Sequence, residues 1–259
     1  MIYLKNPQQL QYMRKAGALL FEVLCRVKEA IKPGVSTAAL DVYAEEMIRK
    51  HRAIPSFLDY QGYPATLCTS INDQVVHGIP SDDVVLREGD ILSVDCGLVL
   101  DGWQADSAFT QGVGAISPED QKLIRVTEEC FLKGARQAKA GRHVGDISHA
   151  VQTHAESFGY GVVRALTGHG IGRNMHEEPS VPNFGRREHG VKLRAGMTLA
   201  IEPMIAMGDY RVREQENGWT FVTLDSSPCS HYEHTVAVNE EGLPELLTFP
   251  GFVLTEGTS

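Results

Sequence analysis

The chain has 259 residues, 42% hydrophobic and 22% charged, with 24 Lys plus Arg against 33 Asp plus Glu and a net charge of −9. This composition excludes disordered, collagenous and membrane-spanning classes and permits a sizeable core in one large domain or two modest ones. It also argues against a dedicated nucleic-acid binder, which would carry a basic stripe.

Five scattered cysteines (Cys25, Cys68, Cys96, Cys130 and Cys229) form no C-x-x-C pair and read as reduced thiols in a reducing compartment. The N-terminus lacks a basic head followed by an apolar stretch, and no apolar run approaches the roughly 18 residues that span a bilayer. The reading is of a cytoplasmic, full-length chain.

In chain order, Asn6, Pro7 and Gln9 predict a helix start with a cap, an initial proline and a capping-box partner. That helix runs to about Ile31, where Pro33 and Gly34 stop it. Ser36 or Thr37 caps a second helix with Leu40, Ala44, Met47 and Ile48 at helical spacing. A similar pair begins at Ser117, Pro118 and Glu119 and ends near Gly141. A helix opened by Gly145 or Asp146 follows, through Ile147, Val151 and Ala155. Setting Gly34 on Gly141 aligns Leu40 with Ile147 and Ala44 with Val151, which suggests two related halves, although identity this slight also fits chance.

Strand patterns separate the helix pairs. Residues 91–100 and 103–110 flank Asp101 and Gly102, a strong hairpin signal, and 197–202 and 231–238 follow in the second half. The layout predicts an α+β fold, with two helix pairs covering one face of a mostly antiparallel sheet. No linker divides residues 1–259, so a single domain of two halves is expected.

A two-residue turn at Asp101 and Gly102 places residues whose numbers sum to 203 opposite each other. Asp106 then faces Gly97 and lies diagonally across from Asp95 on one face, with alpha carbons roughly 7 to 8 Å apart. Two converging carboxylates repel unless a proton or a cation lies between them, so the hairpin is half of a metal site or an acid dyad. An isolated pair of this kind more often has one Asp in solvent. Glu202 and Glu233, however, also lie in apolar strands where an unpaired carboxylate is costly. His169 and His176 sit in the glycine-rich segment GHGIGRNMHEEP, and His77 in VVHGIP. Imidazole among carboxylates suits borderline divalent cations.

The segments YPATLCTSINDQVVHGIP, SVDCGLVLDGWQADSAF, GHGIGRNMHEEP, GMTLAIEPMI and SHYEHTVAV resemble, in order and spacing, the type I methionine aminopeptidases of the pita-bread fold. The resemblance implies a pita-bread fold with internal pseudo-two-fold symmetry and a dinuclear metallopeptidase that removes the initiator methionine from nascent polypeptides when the second residue is small. It implies two divalent ions (manganese, iron, cobalt or zinc): Asp95 binds one, His169 and Glu202 the other, and Asp106 and Glu233 bridge both. It assigns Glu202 to relay a proton from an attacking water, His176 to contact the scissile carbonyl or its oxyanion, and His77 to lie near the departing amide nitrogen. By the same resemblance the methionine pocket includes Phe57, Tyr60, Tyr63, Cys68, Met175 and Trp219; Met175 and Phe57 stand where related enzymes often have Phe and Cys. A monovalent cation (sodium or potassium) would use carbonyls near Asn72, Gln74 and Cys229. The implied partners are nascent N-termini with transient ribosome association, with no stable nucleic acid and no membrane, and the implied state is a monomer.

Other features read as structural. Glu177 and Glu178 are expected to orient their loop, and Trp103 to pack the hairpin. His231 and His234 are expected to point away from Glu233, because alternate strand residues face opposite sides. The competing functions are a proline-directed aminopeptidase or prolidase of the same fold, which usually carries a large extra N-terminal domain, and a non-catalytic pita-bread binding protein, which would have no need to keep the ligand set.

Overall fold

The computed structural model describes residues 1–256. Helix α1 (Pro7–Ala30) opens with the expected capping box: the Asn6 side chain accepts from the Gln9 N–H, and the Gln9 side chain accepts from the Asn6 N–H. Helix α2 (Thr37–Lys50) is capped by Ser36. Helix α3 (Pro118–Ala135) starts at its Ser117 cap but stops six residues before Gly141. Backbone bonds from Gly141, Val144 and Gly145 to the carbonyls of Leu193, Val191 and His189 draw this segment away from the helix axis. Helix α4 (Val144–Ser157) therefore begins earlier than expected, at the His143 cap, with Asp146 accepting from the His143 N–H at 2.8 Å.

A nine-stranded sheet lies against the helices. The hairpin Ile91–Leu100 and Trp103–Gly112 keeps the predicted register without a bulge, pairing Gly97 with Asp106 and Asp95 with Ala108. Asp101 and Gly102 both take positive φ, 52° and 77°, as the tight turn requires. Alternation then sorts the side chains. Val94, Cys96, Leu98, Ala105 and Phe109 join the core with Leu20, Val23 and Leu40 of α1 and α2, which leaves Asp95 and Asp106 on the opposite face. A matching core gathers Leu123, Val126 and Cys130 of α3 with Val151 and Ala155 of α4. The fold is thus α+β, with the helices on one face of a mainly antiparallel sheet.

Two later strands differ from expectation. The run 197–202 pairs only as Thr198–Ile201, so Glu202 lies just past the strand end, before Pro203. The run 231–238 is broken at Tyr232: Cys229–His231 joins a three-stranded sheet and Glu233–Ala237 the large one. Tyr232 donates its N–H to the Pro203 carbonyl rather than to either ladder. No helix among the described residues is long and apolar enough to cross a membrane.

Candidate metal centre

Five adjoining strands of the large sheet deliver five side chains to one point. In spatial order they carry Asp95, Asp106, Glu233, Glu202 (just past its strand) and His169. The register explains the convergence: Ala108 pairs with both Asp95 and Glu233, and Ala200 pairs with His169 and Thr235, with Glu202 two residues beyond Ala200 on the same face. Ligand atoms of Asp106, His169 and Glu233 lie within 4.8 Å of one another. His169 Nε2 stands 3.7 Å from Glu202 Oε1 and 3.9 Å from Asp106 Oδ2. The other ring nitrogen, Nδ1, donates to the Gly170 carbonyl at 2.8 Å, a bond that leaves Nε2 as the free donor atom.

The electrostatics of the cluster are unbalanced. Burial first, then mutual repulsion, holds Asp106, Glu202 and Glu233 well above the usual carboxylate range, and burial pushes Asp95 up to about 7. Burial also lowers His169 to about 4 and depresses His176 and His77. Among the described residues, no lysine or arginine lines the cavity. Asp95 Oδ1, Asp106 Oδ1, Glu233 Oε1 and His231 Nε2 are buried without a hydrogen-bond partner among the described residues. Four carboxylates and an imidazole with orphaned atoms and no protein cation make a donor set that fits divalent metal.

The cluster forms one end of a cavity of roughly 300 Å³. Phe57, Tyr60, Tyr63, Cys68, His77, His176 and Trp219 all lie on its wall. Tyr63 donates to the carbonyls of Leu67 and Gly78 at 2.9 and 3.0 Å, and its ring meets Trp219 edge-on at 5.1 Å. Cys68 sits opposite Asp95 in the ladder, and burial raises its thiol well above the ordinary value, so it stays neutral. His77 holds a left-handed φ of 59°, with its carbonyl accepting from the Thr220 hydroxyl. The His176 ring is 4.3 Å from that of His169, and its Nδ1 is 2.8 Å from the Tyr60 hydroxyl.

Met175 is not on the cavity wall. It is buried beneath Phe57, and a Cβ at Gly97 would come within 2.9 Å of both side chains, so glycine is needed there to admit the pair. His231, expected to face away, instead turns toward the carboxylates: it stands two residues from Glu233, and residues two apart share a face. His234 does face the other side, within hydrogen-bond reach of the Ser107 and Thr248 hydroxyls. Gln61, Val76, Ala165, Leu166, Thr167 and Met204 complete the wall. Nothing in their local pattern separates them from ordinary core or loop residues.

The loop carrying His176 is braced from outside the cavity. Glu177 Oε1 accepts the N–H groups of Arg173 and Asn174, and its Oε2 meets Lys5 Nζ at 2.6 Å in a buried pair. Glu177 thus orients the loop, as expected. Trp103 stacks on Tyr12 and lies under the Arg173 guanidinium at 4.6 Å.

Residues 11–240 match the family described as metallopeptidase family M24. The chain is 55% identical over 248 residues to the methionine aminopeptidase of Clostridium acetobutylicum, covering 96% of this chain and 99% of that one. It is 46% identical over 248 residues to methionine aminopeptidase 1 of Bacillus subtilis, with the same coverage. Among solved structures it is similar to the methionine aminopeptidase of Thermotoga maritima, with a TM-score of 0.94 and 44% identity over 96% of this chain and 99% of that one. A Xaa-Pro dipeptidase of Bacillus anthracis shares the fold at a TM-score of 0.76 and 23% identity, over 97% of this chain and 63% of that one.

Proposed function

The chain belongs to metallopeptidase family M24, and from that membership and the geometry of the cavity we propose that it is a metal-dependent aminopeptidase that removes the initiator methionine from nascent polypeptides whose second residue is small. It has the pita-bread fold of its methionine aminopeptidase and dipeptidase neighbours. The observation that carries the reading is the meeting of four carboxylates and an imidazole, with unpartnered buried atoms, at the end of an apolar cavity. High identity to methionine aminopeptidases over nearly the whole chain favours methionine over proline-directed specificity, for which the likeness extends only to the fold. We read residues 1–259 as one catalytic domain of two related halves.

In this reading Asp95, Asp106, His169, Glu202 and Glu233 hold two divalent ions drawn from manganese, iron, cobalt or zinc. When bound, such ions polarise a carbonyl and lower the pKa of water toward neutrality. The protein's own groups do the rest. Phe57, Tyr63, Cys68 and Trp219 receive an unbranched thioether side chain in an apolar setting. Glu202 accepts a proton from water and returns it to the leaving amine. His176, whose Nδ1 lies 2.8 Å from the Tyr60 hydroxyl, takes in this reading the tautomer with hydrogen on Nε2, which donates to the scissile carbonyl oxygen in a bond that strengthens as negative charge develops. His77, kept neutral by burial, lies beside the departing amide nitrogen. A sodium or potassium ion is assigned to the carbonyls around Asn72, Gln74 and Cys229, where Asn72 has a left-handed φ of 55°. The setting is the cytoplasm, in accord with five free cysteines, and the partners are nascent N-termini met by a monomer during transient ribosome association.

Chelated protein is expected to release methionine from Met-Ala-Ser only after manganese or cobalt is added, and to leave Ala-Pro-Ala intact. Cleavage of Ala-Pro-Ala alone would instead assign proline-directed specificity, and silence on both peptides with every metal would point to a binding protein. His77→Ala is expected to keep full metal content while kcat falls by about a hundredfold, the scale of a lost acid–base or hydrogen-bonding group. Elemental analysis alongside steady-state kinetics reads both quantities. Metal lost together with activity would move His77 into the ligand set.

A further inference from the structure

His231 is buried and lines the cavity, yet its Nε2 has no hydrogen-bond partner among the described residues. That atom stands 3.9 Å from Glu202 Oε2 and 3.9 Å from Glu233 Oε2, too far for a hydrogen bond to either. The separation does suit a shared cation: donor atoms about 2.1 Å from one ion lie about 3.0 to 4.2 Å apart, from adjacent to opposite positions. The three residues also form a donor cluster distinct from that of Asp106, His169 and Glu233, with Glu233 common to both. The backbone holds the ring there, because the His231 N–H and carbonyl are both tied to the Thr110 hydroxyl, at 2.9 and 2.8 Å.

We infer that His231 is a sixth protein ligand, binding a divalent ion together with Glu202 and Glu233. The inference rests on the metallopeptidase reading and deepens it. An imidazole added beside two carboxylates shifts that position toward zinc or cobalt and leaves the Asp95 position, which is all carboxylate, better suited to manganese. The two sites then differ in affinity and in preferred metal, and the site containing His231 fills first.

The test titrates chelated wild type, H231Q and H231N with cobalt, reading the visible d–d absorption and the bound metal after equilibrium dialysis. Both variants are expected to weaken the first site by about ten- to a hundredfold or more, since loss of even an outer partner of a ligand costs that much. The loss should be larger for cobalt and zinc than for manganese, with an altered cobalt spectrum. Proton NMR of the unaltered cobalt protein provides a measurement that does not depend on how the variants fold. Two exchangeable, strongly shifted imidazole N–H resonances support the inference and one overturns it. Unchanged metal affinity and spectrum in H231Q, with only KM for peptide raised, would make His231 a substrate contact and end the inference while leaving the metallopeptidase reading intact. A wild-type chain that binds no divalent ion would remove both.

Discussion

Glu202→Gln is expected to lower kcat by at least about a thousandfold, within the range a positioned acid–base group contributes. At about 1.4 kcal/mol per factor of ten, that is about 4 kcal/mol of lost transition-state stabilisation. Two functions are removed at once. Glu202 Oε1 and Oε2 approach Nε2 of His169 and of His231, which places the carboxylate among the metal-binding atoms, and glutamine keeps its shape while losing its charge. The same carboxyl stands at the cavity end and is the group assigned to pass a proton from water to the leaving amine. Folding should survive, because the Glu202 carbonyl, which accepts from Asn183 Nδ2 at 2.9 Å, is untouched and one of four crowded charges is gone. Methionine release at saturating metal, with a thermal melt beside it, separates the cases: a lower melting temperature with normal turnover per folded molecule would remove Glu202 from the chemistry.

Much of this site is legible in the sequence because it depends on a period of two and one tight turn. Once Asp101 and Gly102 define the hairpin, Asp95 and Asp106 must share a face, and the observed ladder keeps that register. Glu202 and Glu233 stand out as acids in apolar strands, although which strands adjoin depends on long-range pairing that no local pattern encodes. The same period of two held the signal for His231. It is two residues from Glu233 and was expected to face away; the structure turns both side chains to the cavity despite the break at Tyr232. Met175 shows the opposite case, since its burial beneath Phe57 rests on a close approach to Gly97 across 78 residues of chain. The Lys5 to Glu177 pair, separated by 172 residues, was equally out of reach: a lysine before the first helix reads as a solvated charge until the fold buries it.

The metal-free protein is expected to lose stability as pH rises from about 6.5 through about 7 and beyond, as Asp95 and the other three raised carboxyls ionise. In the unfolded chain these four acids titrate near their ordinary values of about 4. In the folded chain Asp95 is pushed up to about 7, and Asp106, Glu202 and Glu233 are held well above their ordinary range. A carboxyl whose folded pKa exceeds its unfolded value binds more protons when folded. Its contribution is favourable at low pH and is lost between the two pKa values, at about 1.4 kcal/mol per unit of difference. Buried histidines act in the opposite sense. His169, His231 and His234, lowered to about 4, 3 and 3, favour the folded state increasingly as pH rises, but only up to their unfolded value of about 6.5. Above that point the histidines no longer offset the carboxyls, and the melting temperature should fall. Saturating manganese or cobalt reverses the trend, because ionised carboxylates and neutral imidazoles are the forms that bind metal, so affinity and its stabilising effect grow with pH. Thermal melts across this range, with chelator and with metal, should show a gap that widens at each step. A chelated protein whose melting temperature is flat or rises over the same interval would mean that the four acids ionise together at no cost, and the clustering inferred for them would have to be abandoned.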